Sequence, residues 1–219
     1  MRKSFILIIL LNSFVSLAQQ TGTITDARDG KVYKTVVIGT QTWTTENLNV
    51  SKFRNGDPIP EAKTDEEWTN AGIYGNPAWC YYDNDQANGT KYGKLYNWYA
   101  VNDPRGLAPA GFHIATDTEW IILSDFLGGE SIAGKKMKTT IGWIENGDGT
   151  NTSGFSGLPG GSRSNYGSFD DVGNYGFWWS RWEYNTYDAG NRSLAHYDGY
   201  LYRNSSLKGR GLSVRCVKD

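Results

Sequence analysis

The sequence has only two cysteines and two histidines among its 219 residues. It has no Cys-x-x-Cys pair and no cluster of cysteine with histidine, which excludes a zinc-type site with its four such ligands. Strings typical of serine hydrolases and zinc proteases, Gly-x-Ser-x-Gly and His-Glu-x-x-His, are also missing. His113 and His196 are the only imidazoles, and each is better explained as a structural hydrogen-bonding group than as a general base. We therefore expect no metal and no cofactor.

The sequence also lacks a block of basic residues. It contains 22 lysines and arginines against 23 aspartates and glutamates, a formal net charge of −1. Because nucleic-acid binding depends largely on basic side chains that contact phosphate, we expect no nucleic-acid partner. Beyond residue 18 no stretch is apolar enough for a membrane span, which needs about 20 residues. We therefore expect no membrane insertion of the mature chain.

The first 18 residues have the three parts of a cleavable secretory signal peptide. Two basic residues precede an apolar run from Phe5 to Leu17, and small residues occupy the positions that signal peptidase accepts. We predict cleavage after about Ala18, with residues 1–18 as the signal peptide and residues 19–219 as one secreted or cell-surface domain. No cysteine stands near the cleavage point, so a lipid anchor is not expected.

Glycine and aromatic residues are abundant, with 27 Gly, 14 Tyr and 9 Trp. Glycine loses much backbone entropy on folding, and large aromatic side chains bury the most apolar area per residue. This composition predicts a compact, loop-rich fold held by buried rings. The two cysteines, Cys80 and Cys216, are a candidate disulfide, since an even number of cysteines in an exported protein suggests pairing.

Local patterns predict an α+β fold. Alternating β-formers on both sides of Asp29-Gly30 predict a tight hairpin over Thr21 to Ile38. The clearest helix follows Thr116, because Thr116 and Glu119 form a capping box; a shorter helix is predicted over Ser131 to Lys138. At most one helical turn is expected near Asp65, and later brief strands are expected at positions 154–158, 177–180, 193–197 and 212–217.

Seven strings together resemble the Fibrobacter succinogenes major paralogous domain family of exported bacterial proteins. They occur in the family's order and cover nearly all of the mature chain. They are DGKVYKTVVIGTQTWTTENLN (29–49), WCYYDND (79–85), YGKLYNWYAV (92–101), PAGFHIATDTEW (109–120), GFSGLPGGSR (154–163), GFWWS (176–180) and SVRCVKD (213–219).

A more distant similarity is to the formylglycine-generating-enzyme and C-type-lectin-like superfamily. The shared features are a Thr-x-x-Glu-Trp helix start at Thr116, a Gly-Gly-Ser-Arg turn at 160–163 and a final strand that carries Arg215. This resemblance implies a C-type-lectin-like fold, with a small twisted antiparallel sheet, one or two helices and long irregular loops. The oxidase chemistry of that superfamily needs a reactive cysteine pair near the Gly-Gly-Ser turn, and the sequence has no cysteine between Cys80 and Cys216.

Two positions depart from the family pattern. Ala108 stands where many members have Cys before the Pro-x-Gly-Trp-His segment, and Phe112 replaces the usual Trp. If that cysteine normally pairs with the one near the terminus, Cys216 must pair with Cys80 or stay free, and the sequence leaves both possibilities open.

Acidic pairs are the remaining catalytic candidates, because two carboxylates can hydrolyse a glycosidic bond. The pairs closest in sequence are Asp83 with Asp85, Asp117 with Glu119, and Asp170 with Asp171. Asp117 and Glu119 are better explained as first-turn residues that favour the helix dipole. The Asp- and Asn-rich segments at 83–85 and 146–151 lack the spaced acids of an EF-hand and are more typical of turns than of calcium loops.

The aromatic run from Phe177 to Tyr184 is the most suggestive feature for binding. Aromatic faces stack on sugar rings and are common hot spots at interfaces, particularly beside arginine. Because side chains alternate between the two faces of a strand, we expect at least one of Trp178 and Trp179 to be a core residue. A structural role in the core is favoured over ligand contact for both. The candidate ligand contacts are Arg163, Trp178, Trp179, Trp182, Tyr184 and Tyr187.

The sequence is thus most consistent with an exported, non-catalytic and monomeric recognition module that binds a polysaccharide, another glycan or a surface protein. The alternatives are a glycan-processing enzyme that uses a carboxylate pair and a structural component of the cell envelope.

Overall fold

The computed structural model describes residues 19–219, so the predicted signal peptide lies outside the described residues. Within that range the fold is α+β, and no helix is long and apolar enough to cross a bilayer. The helices are α1 (Asp65–Tyr74), α2 (Gln86–Tyr92), α3 (Trp98–Val101), α4 (Asp117–Phe126) and α5 (Glu130–Met137). The strands are β1 (Thr21–Thr25), β2 (Val32–Ile38), β3 (Gln41–Thr44), β4 (Trp79–Cys80), β5 (Leu95–Tyr96), β6 (Phe112–Ile114), β7 (Gly160–Arg163), β8 (Phe169–Val172), β9 (Tyr175–Glu183), β10 (Asp188–Ala195), β11 (Leu201–Leu207) and β12 (Cys216–Lys218).

The strands form two five-stranded sheets and one two-stranded sheet, more β-structure than the single small sheet expected. The first sheet is antiparallel and has the order β1-β2-β3-β12-β6. The last strand, β12, therefore lies between β3, near the start of the chain, and β6, near its middle. The second has the order β11-β10-β9-β7-β8, with β7 and β9 parallel. The third pairs β4 with β5. Five helices also exceed the one or two expected.

The hairpin predicted around Asp29-Gly30 is confirmed, but its turn is wider than two residues. Strand β1 pairs with β2 from Thr25 opposite Val32, which leaves residues 26–31 as the connection. Asp26, almost fully buried, accepts hydrogen bonds from the Arg28 backbone and guanidinium. Because Arg28 also donates to the Leu107 carbonyl oxygen at 2.8 Å, this ion pair fixes the longer loop.

Both predicted helices are confirmed, but α2 and α3 were not predicted, and α1, where at most one turn was expected, spans 10 residues. Helix α4 begins at the predicted Thr116 capping box, and α5 occupies the predicted second segment. Helix α1 has the same kind of capping box, Thr64 with Glu67, and ends at Gly75 with φ of 67°. A Thr-x-x-Glu pattern therefore begins this helix as well, although the surrounding glycines and prolines indicate a loop.

Strand β9 lies between two parts of the hydrophobic core. Trp178 packs against Phe155 and Trp120 in one cluster, with ring centroids 5.6 and 6.5 Å away. Trp179 belongs to the other cluster, which includes Tyr96. Since neighbouring strand residues point to opposite faces, the Trp-Trp pair fills both cores from one strand.

Six cationic side chains are nearly fully buried among the described residues: Lys94, Lys138, Arg163, Arg192, Lys208 and Arg215. Arg215 has no carboxylate partner within residues 19–219 and instead donates to backbone carbonyl oxygens. Its Nη1 reaches Thr44 O at 2.8 Å and Phe155 O at 2.7 Å, and its Nη2 reaches Ser156 O at 2.9 Å. One guanidinium thus joins β3 and β12 to the loop before β7.

The candidate disulfide between Cys80 and Cys216, which the sequence left open, is not formed, and both cysteines are free and buried. The two thiols lie in different clusters, Cys80 with Trp68 and Cys216 in the cluster that also contains Ala108. The position at which the family often has a cysteine is thus filled by a methyl group in the cluster around Cys216. Burial raises the pKa of each thiol to about 12, which suppresses its reactivity.

Thiol alkylation tests this arrangement. The native protein should resist iodoacetamide because both thiols are buried and protonated. After unfolding without reductant, mass spectrometry should show two alkyl groups per chain. A chain that accepts no alkyl group before reduction and two after it would show that the cysteines are bridged.

His113 joins β6, α4 and the residue after β12. Its Nδ1 lies 2.7 Å from Asp219 Oδ1, and its Nε2 lies 2.6 Å from Glu119 Oε1. Burial alone would lower the pKa of His113, but the hydrogen bonds to Asp219 and Glu119 outweigh burial and raise the pKa above 6.5. Both ring nitrogens donate to carboxylates only in the protonated imidazole.

This contact predicts a pH-dependent free energy of unfolding. Because the folded-state pKa is the higher one, the contribution is fully present below pH 6.5 and is lost as the pH rises through the folded-state pKa. Denaturant unfolding between about pH 5 and pH 9 should show this loss in the wild type and not in His113→Gln. His196→Gln is the control, and an equal pH dependence in all three proteins would contradict the assignment.

Candidate functional site

The structure distributes the six candidate ligand contacts over the core and two surfaces. Trp178, Trp179 and Arg163 are fully buried. The indole nitrogen of Trp178 donates to Asn47 Oδ1 at 2.8 Å, and that of Trp179 donates to Tyr96 O at 2.8 Å. With both indoles enclosed and their polar atoms satisfied, these two residues are framework in this structure.

Trp182 and Tyr184 lie together at the far end of β9. Their rings meet edge to face at 5.3 Å, and the Arg203 guanidinium covers Trp182 at 4.6 Å. Trp182 also packs on Gly190, where an added Cβ would lie 2.5 Å from the indole ring. Trp182 is therefore half-buried by neighbours, whereas Tyr184 is exposed.

Tyr187 belongs to a different surface, a cavity of about 510 Å³ that we call the tyrosine cleft. Tyr99, Tyr166 and Tyr187 line it together with Ile73, and the last three are the most exposed, at 76 % for Tyr166, 73 % for Tyr187 and 68 % for Ile73. The full lining comprises Thr69, Gly72, Ile73, Tyr99, Asn165, Tyr166, Thr186, Tyr187, Leu207, Lys208 and Gly209. The volume falls within the range of about 300–1,000 Å³ typical of ligand pockets.

Two glycines keep the cleft open. Gly72 in α1 and Gly209 after β11 approach so closely that a Cβ on either would lie 3.3 Å from the Cα of the other. Any larger side chain at these positions would push the helix away from the strand or fill the cavity. At Gly72 and Gly209 the cleft is therefore lined by backbone atoms, and the aromatic rings lie around these two glycines.

The loop that carries Tyr166 is held by Arg163. Arg163 Nε donates to Gly167 O at 2.9 Å, Nη1 donates to Ala62 O at 2.7 Å, and Nη2 reaches Asp65 Oδ1 at 3.1 Å. The guanidinium also lies 5.0 Å from the Trp68 ring. Arg163 is thus a buried clamp between the β7–β8 turn and α1, and its guanidinium is not exposed to solvent.

The turn that carries Tyr187 is held in the same way by Lys208. The Lys208 ammonium is buried, donates to Thr186 O at 2.7 Å and pairs with Glu183. The Lys208 backbone N–H donates to Tyr187 O at 2.9 Å. A second buried cation therefore fixes the β9–β10 turn beside the cleft.

The cleft is electrically neutral at its surface. Lys208 is the only charged residue of the lining, and its ammonium is already paired with Glu183. The polar groups that remain available are the Asn165 amide and the hydroxyls of Thr69, Thr186 and the tyrosines. This chemistry suits a neutral ligand with apolar faces and hydroxyl groups.

Sequence reasoning identified Tyr187 but missed Tyr99 and Tyr166. Tyr166 stands in a Ser-Asn-Tyr-Gly-Ser turn, where an exposed aromatic side chain between turn residues is a local signal. Tyr99 lies in a segment that is aromatic on both faces and gives no such signal. Their juxtaposition with Tyr187 depends on tertiary contacts among α1, α3 and two β-turns.

Three of the six acidic candidates, Asp85, Asp117 and Glu119, have structural contacts. Asp117 accepts hydrogen bonds from Arg192 at 2.8 Å and from Arg203 at 2.8 Å, and Glu119 caps α4. Asp85 caps α2 by accepting from the Ala87 N–H at 2.9 Å. Asn146 and Asn151 have φ of 60° and 48°, as turn residues do. Across residues 19–219, no three side chains of His, Cys, Asp or Glu group as metal ligands.

Comparison with known proteins identifies the family of the chain. No curated protein and no solved structure matches the sequence. The profile of the Fibrobacter succinogenes major domain matches residues 36–218, which include nearly all of the described fold and every residue of the tyrosine cleft. The chain therefore belongs to the Fibrobacter succinogenes major domain family.

Proposed function

We propose that this protein is an exported, non-catalytic recognition module that binds a neutral glycan in the tyrosine cleft. The observation that carries the proposal is the convergence of Tyr99, Tyr166 and Tyr187 around one cavity of about 510 Å³. Tyrosine combines a flat apolar ring with a hydroxyl group. A pyranose offers the complementary pair of features, an apolar C–H face and a rim of hydroxyls.

Rigidity of the two exposed tyrosine loops also supports binding. Arg163 holds the Tyr166 loop and Lys208 holds the Tyr187 turn. Ordering of a loop on binding reduces affinity, so a loop that is already ordered binds more tightly for the same contacts. A surface protein is the alternative ligand class, and the exposed side chains of Ile73 and Leu207 at the same cleft favour it.

The glycan-processing alternative is less well supported by the geometry. Catalysis of that kind needs two free carboxylates, one of them protonated. Asp117 and Glu119 are engaged in ion pairs and capping contacts, and the tyrosine cleft contains no carboxylate. A purely structural role in the cell envelope would not call for a cleft with preordered aromatic walls.

Two parts of the proposal concern the chain as a whole. Export rests on the signal-like segment at residues 1–18. A C-type-lectin-like arrangement is supported by the last strand lying between β3 and β6 in the first sheet. It is also supported by the long irregular segments that connect α5 to β7 and α3 to β6.

Substitution of the cleft tyrosines tests the proposed function. Tyr166→Ala and Tyr187→Ala should each weaken binding to a neutral polysaccharide about tenfold, or roughly 1.4 kcal/mol, through loss of ring stacking. Affinity electrophoresis against a panel of neutral polysaccharides and a glycan array measures the effect.

The matched control is Tyr74→Ala, which removes a tyrosine of equal exposure, 73 %, from α1 outside the cleft lining. All three variants should unfold at the wild-type temperature because the removed rings are exposed. Binding of no neutral glycan would overturn the glycan proposal, and release of shorter sugars from the panel would favour the enzyme instead.

A further inference from the structure

A second cavity, of about 280 Å³, lies between the start of β2 and the end of α2. Three lysines, Lys31, Lys34 and Lys91, contribute to its walls, with Glu46 as the only acidic residue. We call this cavity the lysine groove. Its other lining residues are Thr45, Asn47, Gly89, Thr90, Gly93, Thr139, Ser156 and Leu158.

The first sheet positions Lys34 in a row of hydroxyl-bearing residues. Lys34 is opposite Thr23 of β1, and its carbonyl oxygen accepts the Thr45 N–H at 2.9 Å. The row Thr23, Lys34, Thr45 therefore crosses three neighbouring segments of the sheet. Lys34 is exposed in this row.

Helix α2 brings Lys91 to the same cavity. The helix is joined to the segment after β3 by Asn49 Nδ2, which donates to Gly89 O at 3.0 Å, and by Asn47 Nδ2, which donates to Tyr92 O at 2.8 Å. Gly93 permits this approach, since a Cβ there would lie 2.8 Å from Leu48 O.

The three ammonium groups are not neutralised by the described part of the chain. None of them has a carboxylate oxygen within 4.0 Å among residues 19–219. Lys31 and Lys91 lie instead over the rings of Tyr33 and Tyr92, at 4.7 and 4.6 Å. Three positive charges against one negative charge make the cavity locally cationic in a chain that is acidic as a whole.

The groove continues into a neighbouring cavity of about 430 Å³ along β1, with Lys34, Thr45 and Ser156 common to both. This neighbouring cavity along β1 adds the hydroxyls of Thr21, Thr23 and Thr35. The combined surface is long, hydroxyl-rich and positively charged at one end.

We propose that the lysine groove binds the anionic group of an acidic polysaccharide, either a uronate carboxylate or a sulfate ester. Lysine ammoniums form charge-assisted hydrogen bonds with such oxygens, and threonine and serine hydroxyls match the sugar hydroxyls beside them. An acidic protein fits the groove less well, because protein interfaces are centred on aromatic and apolar anchors, and Leu158 is the single large apolar residue of the lysine-bearing cavity. This site is separate from the tyrosine cleft and does not depend on it.

The test measures binding of the mature protein to polygalacturonate, which supplies carboxylates, and to dextran sulfate, which supplies sulfates. The double variant Lys34→Gln with Lys91→Gln should bind its polyanion at least tenfold more weakly. The wild-type affinity should fall as sodium chloride is added, since the contacts are ionic. Binding of one polyanion alone identifies the anionic group, and binding of both shows that the groove accepts either.

The matched control is Lys52→Gln with Lys63→Gln, which removes the same charge from exposed positions outside the groove. It should bind the polyanion like the wild type. The double variant Tyr166→Ala with Tyr187→Ala should also bind like the wild type, which distinguishes failure of the tyrosine cleft from failure of the lysine groove. Because all four lysines are on the surface of the fold, circular dichroism should show unchanged folding. Binding of neither polyanion, or equal losses in the groove and control variants, would overturn the proposal.

Discussion

The interaction on which this fold depends is the hydrogen bond between a buried cation and backbone carbonyl groups of irregular segments. A loop-rich chain encloses many carbonyl oxygens that no helix or strand can satisfy, and each one left unpaired costs free energy. Arg215 satisfies two such oxygens, those of Phe155 and Ser156, and also the oxygen of Thr44 at the end of β3. The Lys138 ammonium satisfies the oxygen of Asp198 at 2.7 Å and also that of Ala195, at the end of β10, at 2.9 Å. Burial of a cation costs several kcal/mol, which these multiple short contacts offset. Removal of one cation therefore leaves the carbonyl oxygens of the segments that it joins without a partner.

Buried cations also connect the hydrophobic core to the tyrosine cleft. The side chains of Arg163 and Lys208 are buried in the core. Each donates a hydrogen bond to a backbone carbonyl oxygen of the turn that carries an exposed tyrosine of the cleft. The turns themselves contain small polar residues that cannot bury enough apolar area to become ordered alone. The cation beneath each turn adds to the hydrogen bonds within the turn, such as the one that Asn185 Oδ1 accepts from the Tyr187 N–H at 2.7 Å. In this arrangement the buried cation positions the turn, and the tyrosine ring stays exposed to solvent. It also explains why an arginine beside aromatic residues in the sequence need not be a binding residue.

Local chemistry made part of this fold predictable. The Thr116 capping box, the β1–β2 hairpin and the helical segment after Gly129 each depend on residues within a few positions of one another. The parallel pairing of β7 with β9 and the position of β12 between β3 and β6 join distant segments, and no local pattern encodes them. The site shows the same limit. Trp178 and Trp179 look like a binding pair in one dimension, but β9 is covered on both faces, so both are core. Tyr99, Tyr166 and Tyr187 look unrelated in the sequence and converge only in the folded chain.

Amide hydrogen exchange of the two turns measures the central claim most directly. Lys208→Met and Arg163→Met each remove one cation while keeping most of the side-chain volume. If buried cations order individual loops, Lys208→Met should speed exchange in residues 184–188 by about tenfold, equivalent to 1.4 kcal/mol, and leave residues 164–168 protected. Arg163→Met should do the reverse. Unchanged exchange in the turn that has lost its cation would contradict this account. An equal increase in exchange over the whole chain would also contradict it.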